Sequence, residues 1–385
     1  MALKRKIFQA EHDMFRKSVK AFVEREITPH HPAWEEAGIV PREIWKKAGE
    51  MGFLCPWLEE AYGGPGADFL SSVVVAEELS FAGASGVAFT LHSDIVAPYI
   101  AAFGSEEQKK RYLPKAASGE LILALAMTEP NTGSDVAAIQ TKAVDQGDHY
   151  VLNGSKTFIS NGHLADLVIV AAKTNPHADP PHAGVSLLLV ESGFEGFQRG
   201  RRLKKIGMKA QDTAEMHFED CRVPKANLLG EEGMGFYYMM QKLAQERLVV
   251  AIASMAGARA VLEMTIQYTQ EREAFGRPIS RFQNTRFVLA EVATELELGQ
   301  VFVDRLIEEV VEQGAEMLAV EASMAKWWCS EMLKRNTDRC LQFFGGYGYM
   351  EEYPISKAYL DARVQTIYAG TTEIMKEIIG RGMGI

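Results

Sequence analysis

The chain has 385 residues, of which 47% are hydrophobic and 24% charged, a composition typical of folded globular proteins and not of disordered ones. Single hydrophobic cores rarely grow beyond about 250–300 residues, so the length predicts two or three domains. The formal net charge of -10 argues against nucleic acid as a partner, because phosphate binding needs a concentrated positive surface.

The cysteines and the apolar segments argue against several further classes. The four cysteines are scattered, without a Cys-x-x-Cys pair or a histidine at ligand spacing, so neither a disulfide framework nor a metal site is predicted. No run approaches about 18 consecutive apolar residues, and the N-terminus lacks an apolar signal region, so we predict no membrane span. We expect a reducing compartment. The expected compartment is the bacterial cytoplasm, or the mitochondrial matrix if the chain is a processed eukaryotic form.

Residues 1–120 carry apolar side chains at helical spacing, for example at Leu70, Val73, Val74 and Leu79. This pattern predicts an N-terminal helical domain built from short to medium helices. The glycine-rich segment at 63–66 interrupts the pattern. It lacks the last glycine of a dinucleotide-binding fingerprint and therefore predicts a loop.

Residues 121–232 show the patterns of closely spaced strands. Residues 150–159 alternate around Asn153-Gly154, a pair typical of two-residue turns, which predicts a hairpin. Apolar runs follow at 166–173 and 184–191, and 213–221 alternate again. Strands without intervening helices predict a small antiparallel barrel or sandwich, of which we favour the barrel. The basic cluster at 199–205 indicates a solvated strand end or, alternatively, contact with a ligand phosphate or an acidic protein.

Residues 233–385 return to helical periodicity in longer segments, at 236–271, 282–312 and 315–341. The first of these would span about 54 Å at 1.5 Å per residue. Long helices with short connections predict a C-terminal antiparallel four-helix bundle. The predicted fold is therefore α+β and multidomain, with helical, β-barrel and helical domains in that order.

Four motifs occur in the order and at the spacing found in the acyl-CoA dehydrogenase family. They are MTEPNTGSD at 127–135, REAFG at 272–276, QFFGG at 342–346 and IYAGTTEI at 367–374. Four motifs in register are much more specific than one. The chain resembles this family over nearly its whole length, and most closely the long-chain type. The resemblance implies the three-domain fold, FAD as cofactor, oxidation of an acyl-CoA to the trans-2-enoyl-CoA, and electron transfer to an electron-transferring flavoprotein.

Elementary chemistry is consistent with a flavin. Removing hydrogens from the α and β carbons of a thioester needs a base, a hydride acceptor, and donors that stabilise the negative thioester oxygen. Amino-acid side chains do not accept hydride, so a cofactor must do so. The chain has no Gly-x-Gly-x-x-Gly strand–turn–helix unit, which argues against a nicotinamide and permits a flavin bound in another way.

The resemblance implies two groups of FAD contacts. The contacts to the isoalloxazine and ribityl parts are Leu125, Met127, Thr128, Gly133, Ser134, Phe158, Ile159 and Ser160. The contacts that extend the site across a subunit interface, towards the pyrophosphate and adenine, are Arg272, Phe275, Gln283, Gln342, Gly346, Thr371, Thr372 and Glu373. Arginine supplies a planar cation for phosphate, and glycine allows close backbone approach. These contacts imply a homotetramer, or at least a homodimer, because one subunit cannot complete the site.

The catalytic base is predicted to be Glu246. Many family members carry a glutamate directly before the Gly-Thr of the last motif, where this chain has Ala369. A second group, which includes the long-chain and isovaleryl types, carries the carboxylate on the first long helix of the bundle, directly before an arginine, as in Glu246-Arg247 here. Burial should raise the pKa of Glu246, and we expect Arg247 to point elsewhere. The backbone N–H of Ala369 is left to bind the thioester oxygen.

The resemblance also implies contacts with the acyl-CoA substrate. These are Ser134, His182, Ala183, Tyr237, Ala244, Gln245, Arg247 and Gly370. An exposed loop position is an alternative interpretation for His182. Three alternative functions remain open at this point: oxidation of a medium or branched, isovaleryl-like acyl-CoA; an oxidase on the same scaffold; and a non-catalytic acyl-CoA-binding flavoprotein.

Overall fold

The computed structural model describes residues 3–385, and its elements follow the predicted order of helices, strands and helices. Within the described residues, six α-helices precede the sheet: α1 Ala10–Phe22, α2 His31–Ala37, α3 Arg42–Glu50, α4 Phe69–Phe81, α5 Ala97–Phe103 and α6 Glu106–Ala117. A π-helical segment, Leu91–Val96, leads directly into α5. Helix α4 is buried on most of its surface because it packs between α1 and the C-terminal helices.

Eight strands form one sheet in the middle of the chain. They are β1 Leu123–Ala126, β2 Lys142–Asp145, β3 His149–Ile159, β4 Leu167–Lys173, β5 Val185–Glu191, β6 Phe197–Arg202, β7 Ala214–Pro224 and β8 Leu228–Leu229. Their order is β6-β7-β3-β2-β4-β5-β8, with β1 beside β4. Most pairs are antiparallel, as predicted, whereas β1 and β2 run parallel to β4. Strands β4 and β5 read as continuous apolar runs because both of their faces are buried.

The hairpin predicted at 150–159 is wrong, because these residues form the single strand β3. This strand pairs with β7 along its length, and the register shifts between Leu152 and Gly154, where the Asn-Gly pair forms a bulge. A Cβ atom on Gly154 would lie 2.5 Å from Thr141 Oγ1. The glycine is therefore required by a close approach between strands and not by a turn.

The basic cluster at 199–205 overlaps β6, an edge strand of the sheet. Two of its arginines donate to backbone carbonyls: Arg199 to Ala165 at 2.7 Å and Arg202 to Ala37 at 2.6 Å. The contacts support the interpretation of a charged strand end, since unpaired edges are commonly protected by charged side chains.

The C-terminal part contains five helices and a short hairpin. These are α7 Gly235–Glu271, α8 Gln283–Gln313, α9 Ala319–Phe344, α10 Pro354–Ala362 and α11 Thr372–Gly382, with β9 Glu273–Ala274 and β10 Arg277–Pro278 between α7 and α8. Helix α9 packs against α7, α8 and α11, which confirms the predicted helical bundle. By length and composition α7 could cross a membrane, but 61% of its most apolar window is buried within the protein. The domain boundaries after residues 120 and 232 stay predictions.

Candidate active site

Glu246 lies on the fourth turn of α7 and is only 5% exposed. The Tyr99 hydroxyl, from α5, donates a hydrogen bond to Glu246 Oε1 at 2.8 Å. Burial raises the pKa of Glu246 to about 7, although the Tyr99 hydrogen bond and the Arg247 charge act in the opposite direction. A carboxyl group with this pKa can take up a proton near neutral pH.

Arg247 is also buried, and its guanidinium is directed towards α9. Its Nη1 lies 3.3 Å from Ser323 Oγ, and its Nε has no hydrogen-bond partner among residues 3–385. It makes no hydrogen bond to Glu246, in agreement with the expectation that the two side chains diverge. The preceding residues anchor α7: Gln245 Nε2 donates to the Asp94 carbonyl at 2.8 Å, and Ala244 is buried.

The backbone turns at Ala369 and Gly370, where φ is 51° and 97°. A Cβ atom on Gly370 would lie 2.4 Å from Met375 Cε and 3.9 Å from Arg247 Nε. Only glycine fits there, and the turn lies against the helix that carries Glu246. The buried Lys326 donates to the Gly370 carbonyl at 2.5 Å and fixes the turn.

The residues after this turn begin α11. Thr371 is its N-cap and accepts a hydrogen bond from the backbone N–H of Ile374 at 3.4 Å. Thr372 donates to Glu331 of α9 at 2.8 Å, and Glu373 is exposed on the first turn. The end of the last motif is thus fixed against α9.

The loop at 127–135 is held by a buried ion pair. Lys156 Nζ, from β3, lies 2.9 Å from Glu129 Oε1 and 2.9 Å from the Met127 carbonyl. The carboxylate of Glu129 also accepts hydrogen bonds from the backbone N–H groups of Gln140 and Thr141. Burial by itself raises the pKa of Glu129, but hydrogen bonding by Thr141 and the charge of Lys156 outweigh it and leave this pKa below its usual value.

The tip of the anchored loop is exposed to solvent. The Thr128 carbonyl accepts from the Thr157 backbone N–H at 3.0 Å, while Gly133 and Ser134 are exposed. A Cβ atom on Gly133 would have open space around it. The backbone groups of the tip are therefore available to a ligand.

The loop at 127–135 and the hydrogen-bond partner of Glu246 belong to the same apolar cluster. Leu125 and Met127 pack against a core that includes Tyr99, the hydrogen-bond partner of Glu246. Phe158 lies beside the loop, 67% exposed and in the left-handed backbone region with a φ of 59°. A large residue held in that region is strained, and its exposed ring is available to a planar ligand. Its neighbours Ile159 and Ser160 are buried and half-buried.

His182, Ala183 and Tyr237 come together where the sheet meets the start of α7. The Tyr237 hydroxyl lies 3.3 Å from His182 Nε2, and the Phe236 ring centroid is 4.8 Å from that of His182. His182 is therefore packed against aromatic side chains, unlike a freely exposed loop histidine. A Cβ atom on Gly233 would lie 2.7 Å from the Ala183 carbonyl, so the backbone just before α7 packs closely against the backbone at Ala183.

A second group of predicted residues lies at the far end of α7. A cavity of about 440 Å³ is lined by Tyr268, Arg272, Ile279, Gln342, Phe343, Phe344, Gly345, Gly346, Tyr347 and Met350. Phe275 follows at the tip of the β9–β10 hairpin, where it is 95% exposed with a φ of 52°, and Gln283 begins α8. Because α7 is continuous, Arg272 lies about 39 Å along the helix from Glu246.

Three buried polar residues at the site were not singled out in the sequence: Tyr99, Lys156 and Lys326. Lys156 occupies an inward position of the alternating strand β3, and a lysine in such a position is a signal for a buried ion pair. Tyr99 and Lys326 occupy apolar helix faces, where the pattern indicates only core.

The fold and the site together define a three-domain protein with a buried carboxyl group on α7, a glycine turn packed against the same helix, and a loop whose tip is exposed. Residues 9–120, 124–221 and 233–384 match the N-terminal, middle and C-terminal domains of acyl-CoA dehydrogenase. The chain belongs to the acyl-CoA dehydrogenase family of flavin-dependent oxidoreductases.

Individual relatives agree with this assignment. The chain is 49% identical over 377 residues to the mitochondrial long-chain specific acyl-CoA dehydrogenase of Sus scrofa, covering 98% of this chain and 87% of that protein. The crystal structure of an acyl-CoA dehydrogenase from Geobacillus kaustophilus is 55% identical with a TM-score of 0.97, covering 99% and 100% of the two chains. An acyl-CoA dehydrogenase complexed with FAD, from Bacillus anthracis, is 34% identical with a TM-score of 0.91, covering 99% of this chain and 68% of that one.

Proposed function

We propose that this protein oxidises a long-chain acyl-CoA to the trans-2-enoyl-CoA, with FAD as cofactor and Glu246 as the base. The observation that carries the proposal is the buried Glu246 carboxyl, whose pKa is raised to about 7 mainly by burial. Ordinary glutamates have a pKa of about 4.3 and are weak bases at neutral pH, so the shift suits proton abstraction.

The residues of this chain supply the acid–base half of the reaction. The α C–H bond breaks and its proton passes to the Glu246 carboxylate. The negative charge that develops on the thioester oxygen is stabilised by the backbone N–H of Ala369, in a turn that Lys326 fixes through the Gly370 carbonyl. FAD, when bound, supplies the acceptor for the hydride that leaves the β carbon.

The residues present fit FAD in two places. The open loop tip at Gly133 and Ser134, with the exposed Phe158 ring, suits the isoalloxazine. The cavity beside Arg272 and Gly346 suits the pyrophosphate and adenine, since its lining contains both the Arg272 guanidinium and the glycine backbone at 345–346. Arg272 lies about 39 Å along α7 from Glu246, beside which the flavin ring must lie to receive the β hydride, and this span is too long for one dinucleotide. We therefore propose that two subunits share each FAD, within a homotetramer or at least a homodimer.

Substrate, partner and compartment are proposed from the relatives. The long-chain preference rests on the 49% identity with a long-chain specific dehydrogenase, and a medium or branched acyl-CoA is the alternative substrate. The proposed electron acceptor is an electron-transferring flavoprotein. The relatives include mitochondrial and bacterial proteins, and we propose the bacterial cytoplasm, or the mitochondrial matrix for a processed eukaryotic form.

The proposed function is tested by anaerobic titration of the purified yellow protein with acyl-CoA thioesters of increasing chain length. We expect the flavin absorbance to bleach, most rapidly with long chains, and recolouring to require an electron-transferring flavoprotein. Binding without bleaching would indicate a non-catalytic flavoprotein, and rapid recolouring in air would indicate an oxidase. Fastest bleaching by medium or branched substrates would overturn the long-chain assignment alone.

Replacing Arg272 by Gln should weaken FAD binding about 10- to 100-fold, because a charge-assisted hydrogen bond to phosphate contributes roughly 1.5–3 kcal/mol. The dissociation constant is measured by titrating the apoprotein with FAD and following flavin fluorescence. Arg305→Gln on α8 is the matched control, since Arg305 pairs with Glu308 and Glu309 on the exposed surface. Unchanged FAD affinity in the Arg272 variant would contradict the proposed pyrophosphate contact.

A further inference from the structure

The carboxylate of Glu246 has two oxygens in unequal surroundings. Oε1 accepts the hydrogen bond of the Tyr99 hydroxyl at 2.8 Å. Oε2 accepts no hydrogen bond from residues 3–385. The structure therefore distinguishes an oxygen that is held from an oxygen that is free to react.

Tyr99 is fixed by its own surroundings. It is fully buried on α5, one residue after Pro98, and its ring centroid lies 6.3 Å from that of Phe103. The π-helical segment before α5 is tied to α7 by the hydrogen bond from Gln245 Nε2 to the Asp94 carbonyl. Two consecutive residues of α7 are thus bound to the continuous helical stretch 91–103. Gln245 donates to the Asp94 carbonyl, and Glu246 accepts from the Tyr99 hydroxyl. Such π-helical turns often occur at functional sites.

The geometry points to Tyr99 as a positioning residue that holds Glu246 Oε1, so that Oε2 is the oxygen that receives the substrate's α proton. This inference rests on the proposed function, in which Glu246 is the base. During the transfer the α C–H bond breaks and the proton bonds to Oε2. The Tyr99 hydroxyl keeps its own proton and continues to donate it to Oε1.

A phenol suits this role because it remains neutral. Burial and the neighbouring Glu246 carboxylate raise the pKa of Tyr99 well above its ordinary value, so the hydroxyl is a donor throughout the working pH range. Its hydrogen bond is charge-assisted when Glu246 is ionised, and it therefore favours the carboxylate form that acts as the base.

Few other titratable groups act on this pair. Arg247 of α7 lowers the pKa of Glu246 through its charge, and Lys326 of α9 lies next to Arg247. Asp94 precedes α5, and burial raises its pKa to about 7. The Tyr99 hydroxyl is the one group among residues 3–385 that hydrogen-bonds the Glu246 carboxylate, so removing it should change the titration of the base selectively.

The test is Tyr99→Phe in the FAD-loaded protein, with the rate of anaerobic flavin reduction measured against pH at saturating acyl-CoA. The rate should rise as Glu246 ionises, with a midpoint near pH 7 in the unmodified protein. Without the hydroxyl, the carboxylate loses a stabilising donor and its pKa rises. We expect the midpoint to move up by about one to two pH units, and the rate at pH 7 to fall roughly 5- to 50-fold.

Two controls separate this inference from the proposed function. Tyr112→Phe removes another buried hydroxyl, which donates to Glu191 at 2.8 Å, and should leave the midpoint unchanged. Glu246→Gln should abolish reduction regardless of Tyr99, so normal reduction by that variant would overturn the base assignment. An inactive Glu246→Gln together with an unshifted midpoint in Tyr99→Phe would overturn only the role of Tyr99.

A second substitution keeps the inference testable if Tyr99→Phe does not fold. A fluorinated tyrosine introduced at position 99 preserves the ring and hydroxyl but is a stronger hydrogen-bond donor. It should stabilise the carboxylate and move the midpoint to lower pH, opposite to the effect of phenylalanine. A midpoint that stays in place, or that moves up, would contradict the positioning role.

Discussion

Replacing Glu246 by Gln is expected to reduce the rate of flavin reduction by about 10²- to 10⁴-fold, the contribution that general bases typically make to rate. Glutamine has nearly the same shape and can still accept the hydrogen bond from Tyr99, but it cannot take up a proton at neutral pH. The protein should therefore remain folded and yellow. Anaerobic stopped-flow absorbance measures the reduction rate, and perturbation of the flavin spectrum shows that the thioester still binds.

The control for this variant is Glu263→Gln. Glu263 lies on the same helix, about 25 Å further along, and the loss of its carboxylate should leave the rate of flavin reduction unchanged.

Moving the carboxylate to the other candidate position gives an independent check. Ala369→Glu combined with Glu246→Gly should recover part of the activity that Glu246→Gly alone loses, because the turn at 369–370 lies against α7. Complete inactivity of the double variant with FAD still bound would argue that the two positions do not serve the same reacting carbon.

Replacing Lys156 by Met should destabilise the protein by about 3–5 kcal/mol, because it leaves the buried Glu129 carboxylate without its partner. The loop at 127–135 depends on the same ammonium group, which also binds the Met127 carbonyl. We therefore expect the FAD content of the purified protein to fall together with its stability. Chemical unfolding measures the first effect, and the ratio of flavin to protein absorbance measures the second.

The matched control is Lys209→Met, which removes an ammonium group from an exposed pair with Glu351. Exposed pairs contribute about 0–1 kcal/mol, so this variant should stay close to the unmodified protein. Adding Glu129→Gln to Lys156→Met removes the unpaired charge and should restore part of the stability. If Lys156→Met alone were as stable as the unmodified protein and kept its FAD, the ion pair would not anchor the loop.

The order of the elements could be predicted because it depends on local patterns. Helical periodicity before 120 and after 235, with strand patterns between them, reflects which side chains must face a core. Assigning the pattern around Asn153-Gly154 to a hairpin failed because a glycine can be required either by a turn or by a close approach. Only the neighbouring strand, which brings Thr141 to that position, distinguishes the two causes.

The candidate site, like the fold, could be predicted from the sequence only in part. Motif order and the replacement of glutamate by Ala369 were sufficient to predict Glu246 as the base and to expect FAD. Tyr99 lies 147 residues from Glu246 in the chain, and Lys156 lies 27 residues from Glu129. No local pattern encodes such pairs, because a hydrogen bond between distant residues exists only when packing brings their elements together. The sequence by itself thus determined the fold class and the family, and it predicted Glu246 as the base, because these depend on local patterns and motifs. The tertiary structure decided which oxygen of the Glu246 carboxyl is held and what anchors the loop, because both depend on packing between distant segments.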